Sequence, residues 1–226
     1  MSAPRRALEA DVAEVVFLPG WRELGRRLPR LLIGILCLGV GIGLMYRARL
    51  GLSPWDVLHE GLSELTGLDF GSVVIAVGAL ILLAWIPLRQ RFGLGTVINT
   101  ICVGIVINIT IAAVDQPDVL AGRIAFLVAG VVIVGFGTGL YISAGLGPGP
   151  RDGLMTAIAA RGFPIWLVRT VLELSALAAG WALGGDVGAG TLLFAFAIGP
   201  LAHVFLSLLR LPPAQPADLG PGVTAE

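Results

Sequence analysis

Long apolar runs, broken by clusters of arginine and acid, organise this chain. Residues 31–46, 70–88, 92–114, 124–150 and 187–209 carry no Asp, Glu, Lys or Arg, and 164–185 is apolar apart from Arg169, Glu173 and nothing else charged. About 20 apolar residues in a helix cross a bilayer core about 30 Å thick. The pattern therefore predicts six transmembrane helices in an all-α, polytopic membrane bundle. The first run is short, but arginines at both ends can snorkel. In 124–150 the helix occupies the earlier part, before a Gly/Pro-rich turn.

Charge placement orients the spans. Six crossings from a cytoplasmic N-terminus put Arg5, Arg6, Arg22, Arg26, Arg27, Arg30, Arg89, Arg91, Arg151, Arg161 and Arg210 inside. Only Arg47, Arg49 and Arg123 fall outside, beside most of the loop acids. The positive-inside rule then predicts N-in/C-in. Residues 1–28 read as a cytoplasmic segment without the apolar core of a cleavable signal. Residues 29–211 read as the membrane domain, and 212–226, rich in Pro and Ala, as a disordered cytoplasmic tail.

Composition adds exclusions. The chain is 56% hydrophobic and 13% charged, against about 25% charged in a soluble domain. A water-soluble globule is excluded. Formal charge is zero, which gives no reason to expect a nucleic-acid partner. Cys37 and Cys102 lie in apolar runs, so neither a disulfide framework nor a metal motif is expected. No cofactor is expected either, since the Lys of a phosphate loop is missing.

The chain also repeats itself. GIGLMYRARLGLSPWDVL, 41–58, aligns without gaps on GTGLYISAGLGPGPRDGL, 137–154, at an offset of 96, with nine of 18 positions identical. After a one-residue slip, GLGT at 93–96 falls on GAGT at 188–191, and Asn108 falls on His203. Repeat one spans about 31–114 and repeat two about 124–209. Each reads as span, Gly/Pro turn, short helix, span, Gly-rich turn, span. Three crossings invert the second copy, giving two inverted three-helix repeats, a construction common in secondary transporters with the site at the repeat interface.

The residues of these motifs resemble the YczE/YyaS/YitT family of bacterial integral membrane proteins. The likeness runs from about Trp21 to Arg210. Its marks are Gly51, Pro54, Trp55 and Asp56; Trp85, Pro87 and Arg89; Gly93, Gly95 and Thr96; and Gly147, Pro150, Arg151, Asp152 and Gly153. The resemblance implies a multi-pass protein of the bacterial plasma membrane and carries no activity with it.

Candidate chemistry sits on a few polar residues. Ser53-Pro54-Trp55-Asp56 and Gly149-Pro150-Arg151-Asp152 both have the form of helix starts, with an acid at N3 complementing the helix dipole by about 0.3–1 kcal/mol. Capping alone explains Asp56 and Asp152; the functional reading makes them symmetry-related carboxylates at a cavity. In Pro54–Thr66 an apolar stripe of Trp55, Leu58, Leu62 and Leu65 predicts a helix lying at the outer surface, with His59 a surface imidazole. The segment 154–160 is uncharged and suits a re-entrant piece. Arg169 and Glu173, four apart, share a helix face near mid-membrane, either as a self-neutralising pair or as a protonatable coupling site. Asn99, Asn108 and His203 lie inside spans, as interhelical hydrogen-bond glue or as part of a substrate path.

These features predict a permease for an unidentified small molecule, with ion coupling as an option and Glu173 as its leading protonatable group. The other class of reading is a membrane partner that assembles or regulates another complex. No nucleophile-and-base set can be assembled, so an enzyme is not expected. The bilayer is the expected surrounding.

Overall fold

A computed structural model describes residues 16–17 and 21–209 of the chain. Among them are eight helices: α1 (Trp21–Ala48), α2 (Pro54–Thr66), α3 (Phe70–Leu88), α4 (Leu94–Ala113), α5 (Leu120–Ala144), α6 (Pro150–Ala159), α7 (Ile165–Ala182) and α8 (Ala189–Leu209). Val16–Phe17 pairs with Phe92–Gly93 in a two-residue parallel bridge, which the hydropathy pattern does not predict. Six helices are long and apolar enough to cross a membrane, namely α1 from Leu24 onward, α3, α4, α5, α7 and α8. The tail from 212 and most of the segment 1–28 lie outside the described residues.

The first span runs well beyond its charge-free stretch because its arginines are spent on carbonyls. The last C=O groups of a helix have no partner within it. Arg27 Nη1 donates to Ala144 O at 2.9 Å, at the end of α5. Arg30 Nη1 donates to Leu209 O at 3.0 Å, at the end of α8, and Arg47 Nε to Ile111 O at 3.1 Å, near the end of α4. Arg123, in the first turn of α5, donates from Nε to Ala48 O at 2.7 Å. These bonds also fix directions. The start of α1 meets the end of α5, and the end of α1 meets the start of α5 and the end of α4. Thus α1 and α5 are antiparallel, and α1 and α4 parallel.

The α1–α5 pair is the spine of the bundle and its largest helix contact. A Cβ on Gly41 would lie 2.8 Å from Gly130 O, and one on Gly137 would lie 2.8 Å from Gly34 O. Only hydrogen allows backbones this close, which is the usual role of small residues between membrane helices. Both contacts map onto each other at the repeat offset of 96, as do the bonds of Arg27 and Arg123. On the flanks, α4 packs on α1 and α8 on α5, while α2 packs on α7 and α6 on α3.

The turns match as well. Gly51 (φ +105°) and Gly147 (φ +119°) adopt left-handed backbone that other residues rarely reach. Leu50 O accepts from Gly190 N at 2.7 Å, and Leu146 O accepts from Gly95 N at 2.7 Å. Each Gly/Pro turn is therefore tied to the Gly-rich turn of the opposite half.

One pair breaks the match. α3 and α4 pack along each other, whereas α7 and α8, their repeat counterparts, barely touch.

The helix α2 corrects the outer-surface expectation. Ser53 caps it, accepting from Asp56 N at 3.3 Å, and Gly67 (φ +71°) ends it. Yet Asp56, His59 and Glu60 are buried, His59 being 2% exposed, while Leu65 on the apolar stripe is 68% exposed. The imidazole is a core group. Glu60 shows why the polar face turns inward: it accepts from Arg49 Nη1 at 2.9 Å and from Asp186 N at 2.7 Å, clamping the α1–α2 turn to the α7–α8 turn.

Candidate functional site

The N-termini of α2 and α6 converge on one cavity of about 320 Å³ between the two halves. Its walls are Leu38 and Ile42 of α1, Ser53–Asp56 around the start of α2, Asn99 and Val103 of α4, and Val134, Thr138 and Tyr141 of α5. Gly149 and Pro150, Arg151, Asp152 and Met155 of α6 follow, then Arg169 and Glu173 of α7, and Phe194, Ala195, Ile198 and Gly199 of α8. Many wall positions pair at the repeat offset: Leu38 with Val134, Ile42 with Thr138, Trp55 with Arg151, Asp56 with Asp152, Asn99 with Phe194.

A second, small cavity of about 40 Å³ adjoins it, lined by His59, Val74, Gly78, Ile81, Asn99, Thr100, Val103, Pro150 and Arg151. Shifted by the repeat offset, His59, Val74, Gly78 and Thr100 fall on Met155, Arg169, Glu173 and Ala195, all in the large cavity. The two spaces are counterparts of unequal size. Where α3 and α4 pack together the space is small; where α7 and α8 stand apart it is large. Arg151 and Asn99 line both.

Asp56 is held by a tight local network. Ser53 Oγ donates to Oδ2 at 2.5 Å, and His59 Nδ1 lies 3.2 Å from Oδ1. Burial raises this carboxyl, but the His59 hydrogen bond, the Arg151 charge and the Ser53 hydroxyl outweigh it and hold the group below the usual carboxylate range. Burial pushes His59 down. A carboxylate only accepts, so His59 stays neutral and carries its proton on Nδ1. The cap reading and the cavity reading both hold for this residue.

Asp152 differs. Gly149 has no side chain to cap α6. Asp152 is exposed and lines the cavity. Burial raises it, with the charges of Arg151 and Arg169 pulling back. No hydrogen bond within the described residues satisfies it. The Arg151 guanidinium likewise has no carboxylate partner there; it lies 5.9 Å above the Trp55 ring. Trp55 Nε1 is buried without an acceptor, a cost of about 1–3 kcal/mol if left so. Asn99 also has no hydrogen-bond partner among the described residues.

Arg169 and Glu173 do share a face, with Nε 2.9 Å from Oε1, and both are partly open, at 55% and 31%. Asn108 lies elsewhere: its Oδ1 accepts from Gly71 N at 2.7 Å and its Nδ2 donates to Ser72 Oγ, pinning α4 to the start of α3. His203 sits on an exposed face of α8 away from the cavity. The structure thus brings together Glu173, Arg169, Asp56, Asp152, Arg151 and Asn99, and leaves out Asn108 and His203. Sequence reasoning missed Trp55 and His59. The signal was present for Trp55, which aligns with Arg151 in the repeat and meets it in space. Among the described residues, no three of His, Cys, Asp and Glu gather to hold a metal ion.

These features define a multi-pass bacterial membrane protein. The chain belongs to a family of unknown function, DUF6198, whose model matches residues 25–207, and to the YczE/YyaS group of bacterial membrane proteins. It is 40% identical over 194 residues to an uncharacterized protein of Haemophilus influenzae, covering 85% of this chain and 89% of that one. To the uncharacterized membrane protein YczE of Bacillus subtilis it is 37% identical, over 74% of this chain and 79% of the relative. To YyaS of the same organism it is 33% identical, over 79% and 91%. No solved structure matches it.

Proposed function

We propose that this protein is a permease for a small polar molecule, built from two inverted three-helix repeats with both termini in the cytoplasm. The carrying observation is the pair of unequal, repeat-related cavities that meet at Asn99 and Arg151. Reciprocal contacts at one offset, with α1 and α5 antiparallel, support the inverted repeat. The excess of arginines in the loops assigned inside supports the orientation.

A scaffold that merely holds other proteins has no use for unpaired polar groups in an internal space, because each costs stability when dry. A transporter needs them to receive substrate. The asymmetry supplies the motion: if α3 and α4 part while α7 and α8 close, the small cavity becomes the large one and the path opens to the other side. Inverted-repeat transporters move in this way. Transport needs no covalent step, and no residue is assigned one.

Cysteine accessibility tests the exchange. In a background lacking Cys37 and Cys102, Ala195→Cys and Thr100→Cys place a thiol in the large and small cavities. Membrane-impermeant reagents applied to right-side-out and inverted vesicles should label the two from opposite faces. Cross-linking α7 to α8 should speed labelling at position 100. Labelling of both from one face, or none at position 100 under any condition, removes the alternating-access reading.

A further inference from the structure

Charge around the large cavity leaves a defined remainder. Arg169 is matched by Glu173 at 2.9 Å. Arg151 and Asp56 offset one another across the cavity mouth of α2. With Asp152 uncharged these four side chains cancel. The N-termini of α2 and α6 remain, and each helix start is equivalent to about half a positive charge. Roughly one positive unit is then left in a space walled by Leu38, Ile42, Val134, Phe194 and Ile198. Ionised Asp152 cancels it. So the site accommodates one negative charge, either that of Asp152 or that of a ligand.

The donors point the same way. At the start of α6 the first helical backbone bond is from Gly153 N to Gly149 O, so the amides of Arg151 and Asp152 have no helical acceptor. Unlike α2, this end has no side-chain cap. Beside it stands the Arg151 guanidinium with no carboxylate partner. In the wall beneath lies Trp55, 9% exposed, whose Nε1–H has no acceptor. An orphaned buried indole donor next to an open helix start and a free guanidinium calls for an acceptor that is absent here.

We propose that the cavity binds a small organic monoanion, a carboxylate with an apolar tail, its charged group on Arg151 and the start of α6, and that one proton enters with it on Asp152. A phosphate dianion would leave a net negative charge among apolar walls. Arg151 is the charged side chain that faces both cavities, so it can hold the anion while the space on either side opens or closes. Asp152 is faced by Arg151 on its own helix, by Arg169 and Glu173 of α7, by the Tyr141 hydroxyl of α5 and by Asp56 of α2 across the cavity. α3 and α4 bring no charge to it, only Trp85 and Asn99. Burial favours its neutral form, which is the form that admits an anion. This assignment rests on the permease reading for its purpose but not for its test.

The test uses the full-length protein in nanodiscs with labelled butyrate, assayed by scintillation proximity from about pH 5 to about pH 8, with butylammonium and butanol as uncharged-tail equivalents. Butyrate should bind and butylammonium should not. The butyrate Kd should rise about tenfold per pH unit once Asp152 ionises, one proton per anion. Asp152→Asn should bind butyrate with a flat pH profile, and Arg151→Gln should lose binding while Arg151→Lys retains part of it. Preference for butylammonium, or a pH-independent wild-type affinity, overturns the proposal without any variant. An Asp152→Asn protein that keeps the wild-type slope overturns it too. Uptake is followed on the same preparation in liposomes. Butyrate binding without flux supports the anion site and removes the permease; uptake of an amine or sugar with no butyrate binding removes the anion site and leaves the permease.

Discussion

Gly153 is the tightest point between α6 and the span it lies against, and changing it to alanine tests whether that contact holds the cavity. Trp85 of α3 is fully buried. Its Nε1 donates to Pro150 O at 3.2 Å, and its ring stacks on Phe92 at 5.4 Å. A Cβ on Gly153 would lie 2.8 Å from Trp85 Cε2, with Cζ2 and Cη2 nearer still. Ordinary carbon contacts are about 3.5–4.0 Å, so the ring or the helix must move by well over an ångström. Such overpacking costs about 1–3 kcal/mol, and losing the indole hydrogen bond costs about 0.5–1.5 kcal/mol more. Against this, alanine gains up to about 1 kcal/mol over glycine in a helix. The net expectation is about 1–3 kcal/mol of destabilisation. At about 2–4 °C per kcal/mol for a chain of this size, Tm should fall by roughly 2–12 °C. The assay is thermal unfolding of the purified protein in detergent. Gly25→Ala is the control, since a Cβ there meets nothing within 4 Å, and it should leave Tm level or higher. A Gly153→Ala protein that melts at or above wild type would refute the reasoning.

Two further outcomes follow from buried polar groups. Burial holds His59 below the usual imidazole value, so below about pH 6.5 the unfolded chain takes up more protons than the folded one and stability falls. Asp152 and Glu60, raised by burial, act in the opposite sense, because the folded form keeps their protons longer as pH rises. His59→Gln should therefore flatten the loss of Tm between about pH 6.5 and about pH 5, and an unchanged profile would assign the acid sensitivity elsewhere. Asn108→Ala removes the acceptor for Gly71 N and should cost about 1 kcal/mol of stability while leaving butyrate binding unaltered; a change in binding would give Asn108 a role that its position outside the cavity denies.

The spans, the matching turns and most of the candidate site were legible in the residues because each rests on local rules. Asp56 and Asp152 follow Pro at two helix starts of the same form, and Arg169 and Glu173 stand one helical turn apart. Asn108 and His203 looked equivalent by offset, yet one bonds across α3 and α4 while the other is exposed, because α7 and α8 do not repeat the close packing of the first half. His59 was misplaced for a different reason. In water the polar face of a short helix turns outward, but beside a membrane bundle polar groups find partners inside, as His59 does on Asp56 and Glu60 does on Arg49 and the Asp186 amide.

Hydropathy and charge order by themselves determined that this chain belongs in lipid, that six of its helices are long and apolar enough to cross it, and that one stretch of its sequence recurs. Those properties depend on residue type along single helices, and no neighbour has to be known. Only the tertiary structure decided that two short helices aim their starts into one space, that Trp55 meets Arg151 there, and that of the two repeat-related cavities one is large and the other small. Near-identical segments can pack tightly or stand apart. That choice is made by the contacts between helices, and it turns a repeated sequence into an asymmetric site.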